Sequence, residues 1–217
     1  MTKENTLDTT IERLVELMDL EVIEENIFRG ESQDIGSPQV FGGQVLGQAL
    51  MAASRTVEGR LVHSLHAYFL RRGDFEAPIV YEVDRARDGG SFSNRRIIAV
   101  QHGEQIFNMT ASFQKPEDGL EHQSKMPEVK PPNELEDLVD LIKPEWVEQL
   151  PGRIKRMLTR RRPFEVRPVE IPQFLTNQTG EPIKHSWIRA NGKVPDHEGL
   201  HLSLIHISEP TRRTPIS

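Results

Sequence analysis

Residues 40–54, VFGGQVLGQALMAAS, decide the fold, because they have the pattern of a helix that begins at a glycine pair. The apolar side chains that follow the pair recur at helical spacing. They are Val45, Leu46, Ala49, Leu50 and Ala53. Gly47 lies inside this helix, where a glycine costs about 1 kcal/mol relative to alanine. A helix that tolerates it is expected to pack closely against a broad, flat surface such as a β-sheet.

Four stretches with the pattern of β-strands follow this helix. The clearest is EQIFNMTASFQK (104–115), in which Phe107, Met109 and Ala111 alternate with polar residues, as in a half-buried strand. The others are LVHSLHAYFL (61–70), PIVYEVD (78–84) and SFSNRRIIAVQHG (91–103). Turn residues separate the stretches, so the pattern predicts a helix packed on an antiparallel sheet.

The flanking regions suggest further elements. Thr9 and Glu12 have the spacing of a capping box ahead of the apolar residues Ile11, Leu14, Val15 and Met18, which predicts a short amphipathic helix. Residues 115–132 are polar and proline-rich, as in a linker, and a helical patch at 135–150 follows. Residues 163–171 and 185–196 again have strand character. A second α+β unit is therefore expected to begin near Pro163 and to be cut short.

The composition restricts the classes of function. The net charge is −6 and the isoelectric point is about 5.8, which disfavours nucleic acid as a partner because phosphates require a basic surface. The chain has no cysteine, which excludes a thiolate nucleophile and a cysteine metal site. No apolar run has the length of a membrane span. We expect a cytoplasmic protein with a small-molecule ligand and no metal or cofactor.

A helix laid across an antiparallel sheet is the α+β layout called the hot dog, and several motifs narrow the resemblance to a family. Seven segments resemble, in order from about Leu17 to about His201, the successive signatures of the type II acyl-CoA thioesterases, the TesB-like family. They are NIFRGES, VFGGQVLGQAL, LVHSLHAYFLRRGD, DGGSFSNRR, MTASFQ, FEVRPVE and WIRANGKVPD. The resemblance implies a double hot dog, homo-oligomeric when intact, that hydrolyses fatty acyl-CoA to free acid and CoA.

The C-terminal segment departs from that pattern. Residues 202–212, LSLIHISEPTR, resemble the in-frame translation of a transposase sequencing adaptor. We therefore expect residues 202–217 to be an artefactual tail, exposed and making few contacts. The expected division is an N-terminal hot dog (1–115), a helical linker (116–162), the start of a truncated second hot dog (163–201) and the tail.

The resemblance also implies which catalytic residues to expect. The family's Asp, its Thr or Ser, and its Gln would all lie beyond His201, so no catalytic residue can be assigned in this chain. This chain alone is accordingly expected to be inactive. A non-catalytic acyl-CoA binding module is the alternative function. A hot-dog hydratase ranks last, because Asp34 precedes the glycine pair but no histidine follows it closely.

Four residues are candidates for substrate binding. Gly42 and Gly43 begin a helix, where backbone N–H groups and the helix dipole suit a carbonyl oxygen that becomes negative. They could equally serve only a tight turn. His63 and His66 are three apart on a strand and so are expected on opposite faces, with His63 lining the acyl or CoA channel or simply packing.

Arg95 is the fourth candidate, as a contact for CoA phosphates. It is expected to point away from Arg96, and a solvated strand face is the alternative for this polar patch. The basic run 153–162 could also attract phosphates, or it could be a solvated helical face.

Overall fold

The computed structural model describes residues 10–34, 39–142, 152, 155, 162–172 and 183–208. The predicted cap residue Thr9, residues 143–150 of the predicted helical patch and most of the basic run lie outside these residues. Residues 135–142 of that patch form turns and bends and not the predicted helix. No helix in the described ranges is long and apolar enough to cross a membrane.

The N-terminal part of the chain is a six-stranded antiparallel sheet with a helix across one face, as the sequence predicts. The strand order is β1-β2-β4-β5-β6-β3, so β1 and β3 lie at the two edges. The strands are β1 (Glu21–Glu24), β2 (Ile27–Gly30), β3 (Leu61–Phe69), β4 (Ile79–Asp88), β5 (Phe92–Gln101) and β6 (Glu104–Gln114). The helices before β3 are α1 (Ile11–Met18) and α2 (Gly42–Ser54).

The predicted strand pattern is confirmed where it was clearest. In β6 the side chains of Met109, Ala111 and Phe113 are buried on the face that α2 covers, while Thr110 is exposed on the other. The turn between β5 and β6 has positive φ at both His102 (53°) and Gly103 (76°), which is the geometry of a tight two-residue hairpin.

The hairpin of β1 and β2 was missed, because all four residues of β1 are exposed and the strand has no apolar alternation. Asn26 takes the left-handed conformation (φ 63°) in its turn, which asparagine tolerates better than most residues. The predicted capping residue of α1 was off by one position. Thr10 is the N-cap, and its hydroxyl accepts a hydrogen bond from the Arg13 N–H at 3.2 Å.

A two-stranded hairpin and a third helix follow Pro163 in the chain. Strands β7 (Phe164–Pro168) and β8 (Ser186–Ala190) pair in an antiparallel hairpin, and helix α3 (Glu198–Ser208) follows. The Trp187 indole donates a hydrogen bond to the Lys130 carbonyl (2.9 Å), which ties the linker to this hairpin. Helix α3 packs along α2 on the side away from the sheet.

Helix α2 packs on the sheet as predicted, but Gly47 itself faces the neighbouring helices. A Cβ atom at position 47 would lie 3.1 Å from Ile207 of α3 and 3.2 Å from the Met18 sulfur of α1. The absence of a side chain therefore allows two helices to approach α2 together. Since helices cover one side of α2 and the sheet covers the other, almost every residue of α2 is buried.

The expectation that residues from Leu202 onward are exposed and make few contacts is wrong for the face of α3 that meets α2. Ser203 and Leu204 are buried, and the Ser203 hydroxyl donates to the Gly47 carbonyl at 3.1 Å. The physical reason is that Leu200, Leu204 and Ile207 recur at helical spacing and present an apolar face to α2. Residues 209–217 lie outside the described chain.

Substitution of Leu204 by alanine is expected to lower the free energy of unfolding by about 2–3 kcal/mol, because it opens a cavity between α3 and α2. The neighbouring Ile205 is 50% exposed, and its substitution by alanine should change stability by less than about 0.5 kcal/mol. Urea unfolding followed by circular dichroism measures both. Equal, small effects would mean that α3 does not pack on α2 in solution.

Candidate functional site

A mostly apolar cavity of about 220 Å³ lies at the N-terminal end of α2. Helix α1, the loop after β2, the start of α2, strand β7 and the end of α3 each supply part of its wall. It is lined by Leu14, Leu17, Gln33, Phe41, Gln44, Arg162, Pro163, Phe164, Val166, Ile207 and Ser208. An apolar cavity with a few polar groups at its wall is the usual form of a small-molecule site.

The start of α2 is open to hydrogen bonding. Phe41 is the N-cap and its side chain gives no capping bond, so the first turn of the helix lacks a side-chain acceptor. Within the described chain, the N–H groups of Gly42 and Gly43 donate no hydrogen bond. Phe41 and Gln44, which flank the two glycines, both line the cavity. Two unused donors and the positive end of the helix dipole are thus next to the cavity.

Close packing explains the glycine at position 42. A Cβ atom there would lie 3.1 Å from the ring of Phe69 at the end of β3. That ring packs against Phe107 of β6, with 5.0 Å between the ring centroids. The glycine therefore serves the packing as well as leaving its N–H accessible, and the two roles that the sequence left open are compatible.

A buried polar network supports the wall of the cavity, and the sequence analysis missed it. The Gln48 side-chain amide donates to the carbonyls of Leu17 (2.7 Å) and Glu31 (2.9 Å), and it accepts from the Tyr81 hydroxyl (2.7 Å). Gln44, one turn earlier, donates to the same Glu31 carbonyl (3.2 Å). Burial raises the pKa of Tyr81 well above its ordinary value, so this phenol is a neutral donor. The sequence does contain a signal for this network, because Gln44 and Gln48 lie four residues apart in an otherwise apolar helix.

Arg162 is the charged residue among those that line the cavity. It is the last residue of the predicted basic run 153–162. Burial lowers its pKa, and the nearby carboxylate of Asp137 opposes that change. An arginine stays protonated in proteins, so the guanidinium supplies a positive charge at the wall. An anionic ligand group at this edge of the cavity would be favoured.

His63 and His66 lie on the same face of the sheet, and the prediction of opposite faces is wrong. A β-bulge at His63 adds one residue to β3, because Val62 pairs with Phe113 whereas Ser64 pairs with Ser112. His63 reaches the Ser112 hydroxyl at 2.9 Å, on the face away from α2. Both histidines are exposed there, and neither lines the cavity.

Arg95 is buried, so the geometry does not support the prediction that it contacts CoA phosphates. Only 1% of its surface is exposed, and its five N–H groups all have acceptors. The acceptors are Thr56 Oγ1 (2.8 Å), Thr56 O (3.0 Å), Asp88 Oδ1 (2.7 Å), Asn94 O (2.9 Å) and Arg87 O (3.1 Å). Arg95 thus joins the end of α2 to the β4–β5 hairpin.

The predicted opposition of Arg95 and Arg96 is confirmed. Arg96 is exposed and pairs with Asp84 at 2.6 Å on the outer face. The carboxylate that serves Arg95 has a low pKa, because Asp88 accepts hydrogen bonds from the Ser93 hydroxyl and from Arg95. These residues form a structural cluster of the hairpin, at the opposite end of α2 from the cavity.

The wall of the cavity supplies no general base. None of its described residues is an aspartate, glutamate or histidine, and Ser208 donates its hydroxyl to the Ile205 carbonyl (2.9 Å). No three His, Asp or Glu side chains of the described chain come together in a way that could hold a metal ion. The site as described offers an apolar chamber, two backbone donors and one cation.

Comparison with known proteins relates this geometry to a family. Residues 29–114, which include the end of β2, helix α2 and strands β3 to β6, match the family description "Acyl-CoA thioesterase N-terminal domain". Acyl-CoA thioesterase 2 of Haemophilus influenzae is 42% identical over 186 residues, which are 85% of this chain and 65% of that protein. Human acyl-coenzyme A thioesterase 8 is 40% identical over 82% of this chain and 58% of its own length.

Solved structures agree with the sequence comparisons. An acyl-CoA thioesterase II, TesB2, from Mycobacterium marinum is 39% identical, with a TM-score of 0.65 over 89% of this chain and 65% of that one. A tesB protein of Mycobacterium avium subspecies paratuberculosis is 29% identical, with a TM-score of 0.72 over 92% of this chain and 68% of that one. A hot-dog protein from Alicyclobacillus acidocaldarius, at 20% identity and TM-score 0.67, supports the fold alone.

The chain spans 58–65% of the length of these two curated relatives. The agreement nevertheless extends over most of this chain, in sequence and in fold. Residues 29–114 therefore match the N-terminal domain of acyl-CoA thioesterases, and the chain is similar over most of its length to proteins named acyl-CoA thioesterase 2, acyl-coenzyme A thioesterase 8 and TesB2.

Proposed function

We propose that this protein is an acyl-CoA thioester hydrolase that converts fatty acyl-CoA to a free fatty acid and CoA. The observation that carries the proposal is the apolar cavity at the start of α2, where two backbone N–H groups without acceptors adjoin a chamber for an acyl chain. The names of the relatives, acyl-CoA thioesterases at about 40% identity, support the same substrate class.

The chemistry assigns separate tasks to the parts of this site. Water attacks the thioester carbonyl carbon, the carbonyl oxygen becomes an oxyanion, and the C–S bond breaks as the CoA sulfur leaves and takes up a proton. Gly42 and Gly43 would hold the oxyanion through their N–H groups, which is the usual function of such donors. The apolar wall around Phe41 and Phe164 would hold the acyl chain.

A general base is the missing part. Activation of water requires a group that accepts its proton, and no such side chain lines the described cavity. We therefore propose that this chain alone binds acyl-CoA with little or no turnover. The same observation supports the second candidate function, an acyl-CoA binding module without catalysis.

Titration calorimetry and a thiol-release assay on the same preparation test the proposal. Octanoyl-CoA should bind to the 217-residue chain, while the release of free CoA stays at the background rate. A longer protein that carries the family's C-terminal part should bind octanoyl-CoA and also release CoA. The hydrolase proposal fails if the longer protein binds without release. Absence of binding to either protein contradicts both functions.

Gly42 allows a specific test of the backbone donors. Proline at the first position of a helix is tolerated but has no N–H. Phe41 already has the extended conformation (φ −70°, ψ 125°) that a following proline needs. We expect Gly42→Pro to weaken octanoyl-CoA binding by about 2–10-fold, the value of one hydrogen bond. Gly42→Ala places a similar Cβ atom against Phe69 but keeps the N–H. Equal affinities of the two variants would refute the role of the donor.

The proposal also covers the domain organisation, the oligomeric state and the cellular location of the protein. We propose the division into an N-terminal hot dog (1–115), a linker (116–162), the start of a second hot dog (163–201) and a foreign tail (202–217). The intact protein would be a cytoplasmic homo-oligomer of fatty-acid metabolism. Sequencing of the source gene through the codon for His201 tests the tail. A genome that encodes residues 202–217 in this frame would show that the tail is native.

A further inference from the structure

A second concave surface lies at the tip of the β4–β5 hairpin, at the other end of α2 from the acyl cavity. It encloses about 450 Å³. We call it the hairpin pocket. Its wall is about half polar and includes Arg87, Gly89, Gly90, Ser91, Asn94 and Ser112. Asn94 and Ser112 are paired across β5 and β6, and both face away from α2. The pocket is therefore separate from the cavity.

One of the three arginines at the hairpin, Arg87, lines the hairpin pocket. Arg60 and Arg95 share one carboxylate, Asp88, at 3.8 Å and 2.7 Å. Arg87 is exposed instead, and within the described chain its guanidinium makes no hydrogen bond or ion pair. Its guanidinium lies over the hairpin tip, where a Cβ atom at position 89 would be 3.5 Å from Arg87 Nε. An exposed guanidinium without an acidic partner favours an anionic ligand.

An aromatic surface adjoins these charges. Phe92, the first residue of β5, lines the hairpin pocket and is 47% exposed. The His63 imidazole meets its ring edge-on, with 5.8 Å between the centroids, and is held by the Ser112 hydroxyl. One face of an exposed phenyl ring beside an unpaired guanidinium is suited to a flat ring that carries an anionic group.

We propose that the hairpin pocket binds a nucleotide, with a phosphate on Arg87 and the base on Phe92. The serine and asparagine side chains offer further hydrogen bonds to phosphate or ribose oxygens. The site goes beyond the proposed hydrolase function, because it lies on the other face of the sheet. The same chemistry is present in a free nucleotide and in the nucleotide end of a CoA molecule.

Calorimetric titration of the full chain with ADP tests the proposal. ADP should bind, and Arg87→Gln should weaken binding at least about tenfold, as expected for loss of a charge-assisted contact. Arg72→Gln is the matched control, since Arg72 is another exposed arginine without an ion pair in the described chain and is not part of this pocket. Adenosine and inorganic phosphate, each tested alone, should bind more weakly than ADP. The proposal is overturned if ADP does not bind, or if both arginine variants lose affinity equally.

A second variant tests whether ADP binding is lost because the pocket is blocked or because the protein unfolds. Position 90 has open space around it and no positive φ, so Gly90→Leu should fill the pocket without strain. It should abolish ADP binding and leave the midpoint of urea unfolding unchanged. ADP binding that survives this variant contradicts the proposed location.

Competition identifies the source of the nucleotide and separates the two proposals. If octanoyl-CoA displaces ADP, the hairpin pocket holds the nucleotide end of CoA. If ADP binds unchanged to protein saturated with octanoyl-CoA, the ligand is a free nucleotide. Failure of the hydrolase proposal would appear as absent octanoyl-CoA binding with ADP binding retained, so the two results are distinguishable.

Discussion

Substitution of Arg95 by methionine is expected to lower the free energy of unfolding by about 3 kcal/mol, the largest effect of any single change on the hairpin. Methionine retains much of the volume but none of the five N–H donors. The carbonyls of Thr56 and Asn94 and the Asp88 carboxylate would then lose their partner together. Urea unfolding monitored by tryptophan fluorescence and circular dichroism measures the loss.

The adjacent residue supplies the control. Arg96→Met changes the charge of the same strand equally, but Arg96 and Asp84 are both exposed, so the expected loss is below about 1 kcal/mol. Equal effects of the two substitutions would show that Arg95 is not buried as described. A loss of stability at Arg95 without a change in ADP binding per folded molecule would further separate its structural role from that of Arg87.

The second large effect is expected at Gln48. Its substitution by leucine should cost about 2–3 kcal/mol, because the Tyr81 hydroxyl and the Leu17 carbonyl would stay buried without a partner. Tyr81→Phe alone should cost about 1 kcal/mol, since one hydrogen bond is lost. In the double variant no tyrosine hydroxyl remains to be satisfied.

A double-mutant cycle on these two residues therefore gives a clear expectation. The stability of the Gln48→Leu, Tyr81→Phe protein should be close to that of Gln48→Leu, and the two losses should not add. Additive losses would mean that the two side chains do not interact. Because Gln44 shares the Glu31 carbonyl with Gln48, the single Gln48 variant should also weaken octanoyl-CoA binding.

The sequence predicted the central layout because the strongest local signals agreed with the tertiary structure. Helix α2 and strands β3 to β6 each carry a clear period, and the motifs that resemble the family occur in the right order. The β1–β2 hairpin was missed because strand β1 has no buried side chain and hence no apolar period.

The site was less predictable, because its properties depend on contacts between distant residues. The sequence alone does not distinguish Arg95 from Arg96. Only the packing of Thr56 beside β5 shows which of them is buried. Gly47 was correctly taken as a sign of close packing, but its neighbours come from 29 residues before it and 160 residues after it in the chain. The buried pairing of Gln48 with Tyr81 has the same origin.

The bulge in β3 has a consequence for comparing this chain with its relatives. An extra residue at position 63 is absorbed locally, so the side chains on both sides of it keep their faces. A relative that lacks one residue at this point would preserve the same core. A deletion at any other point within the strand would turn every later side chain to the wrong face. An alignment gap in this region therefore belongs at position 63.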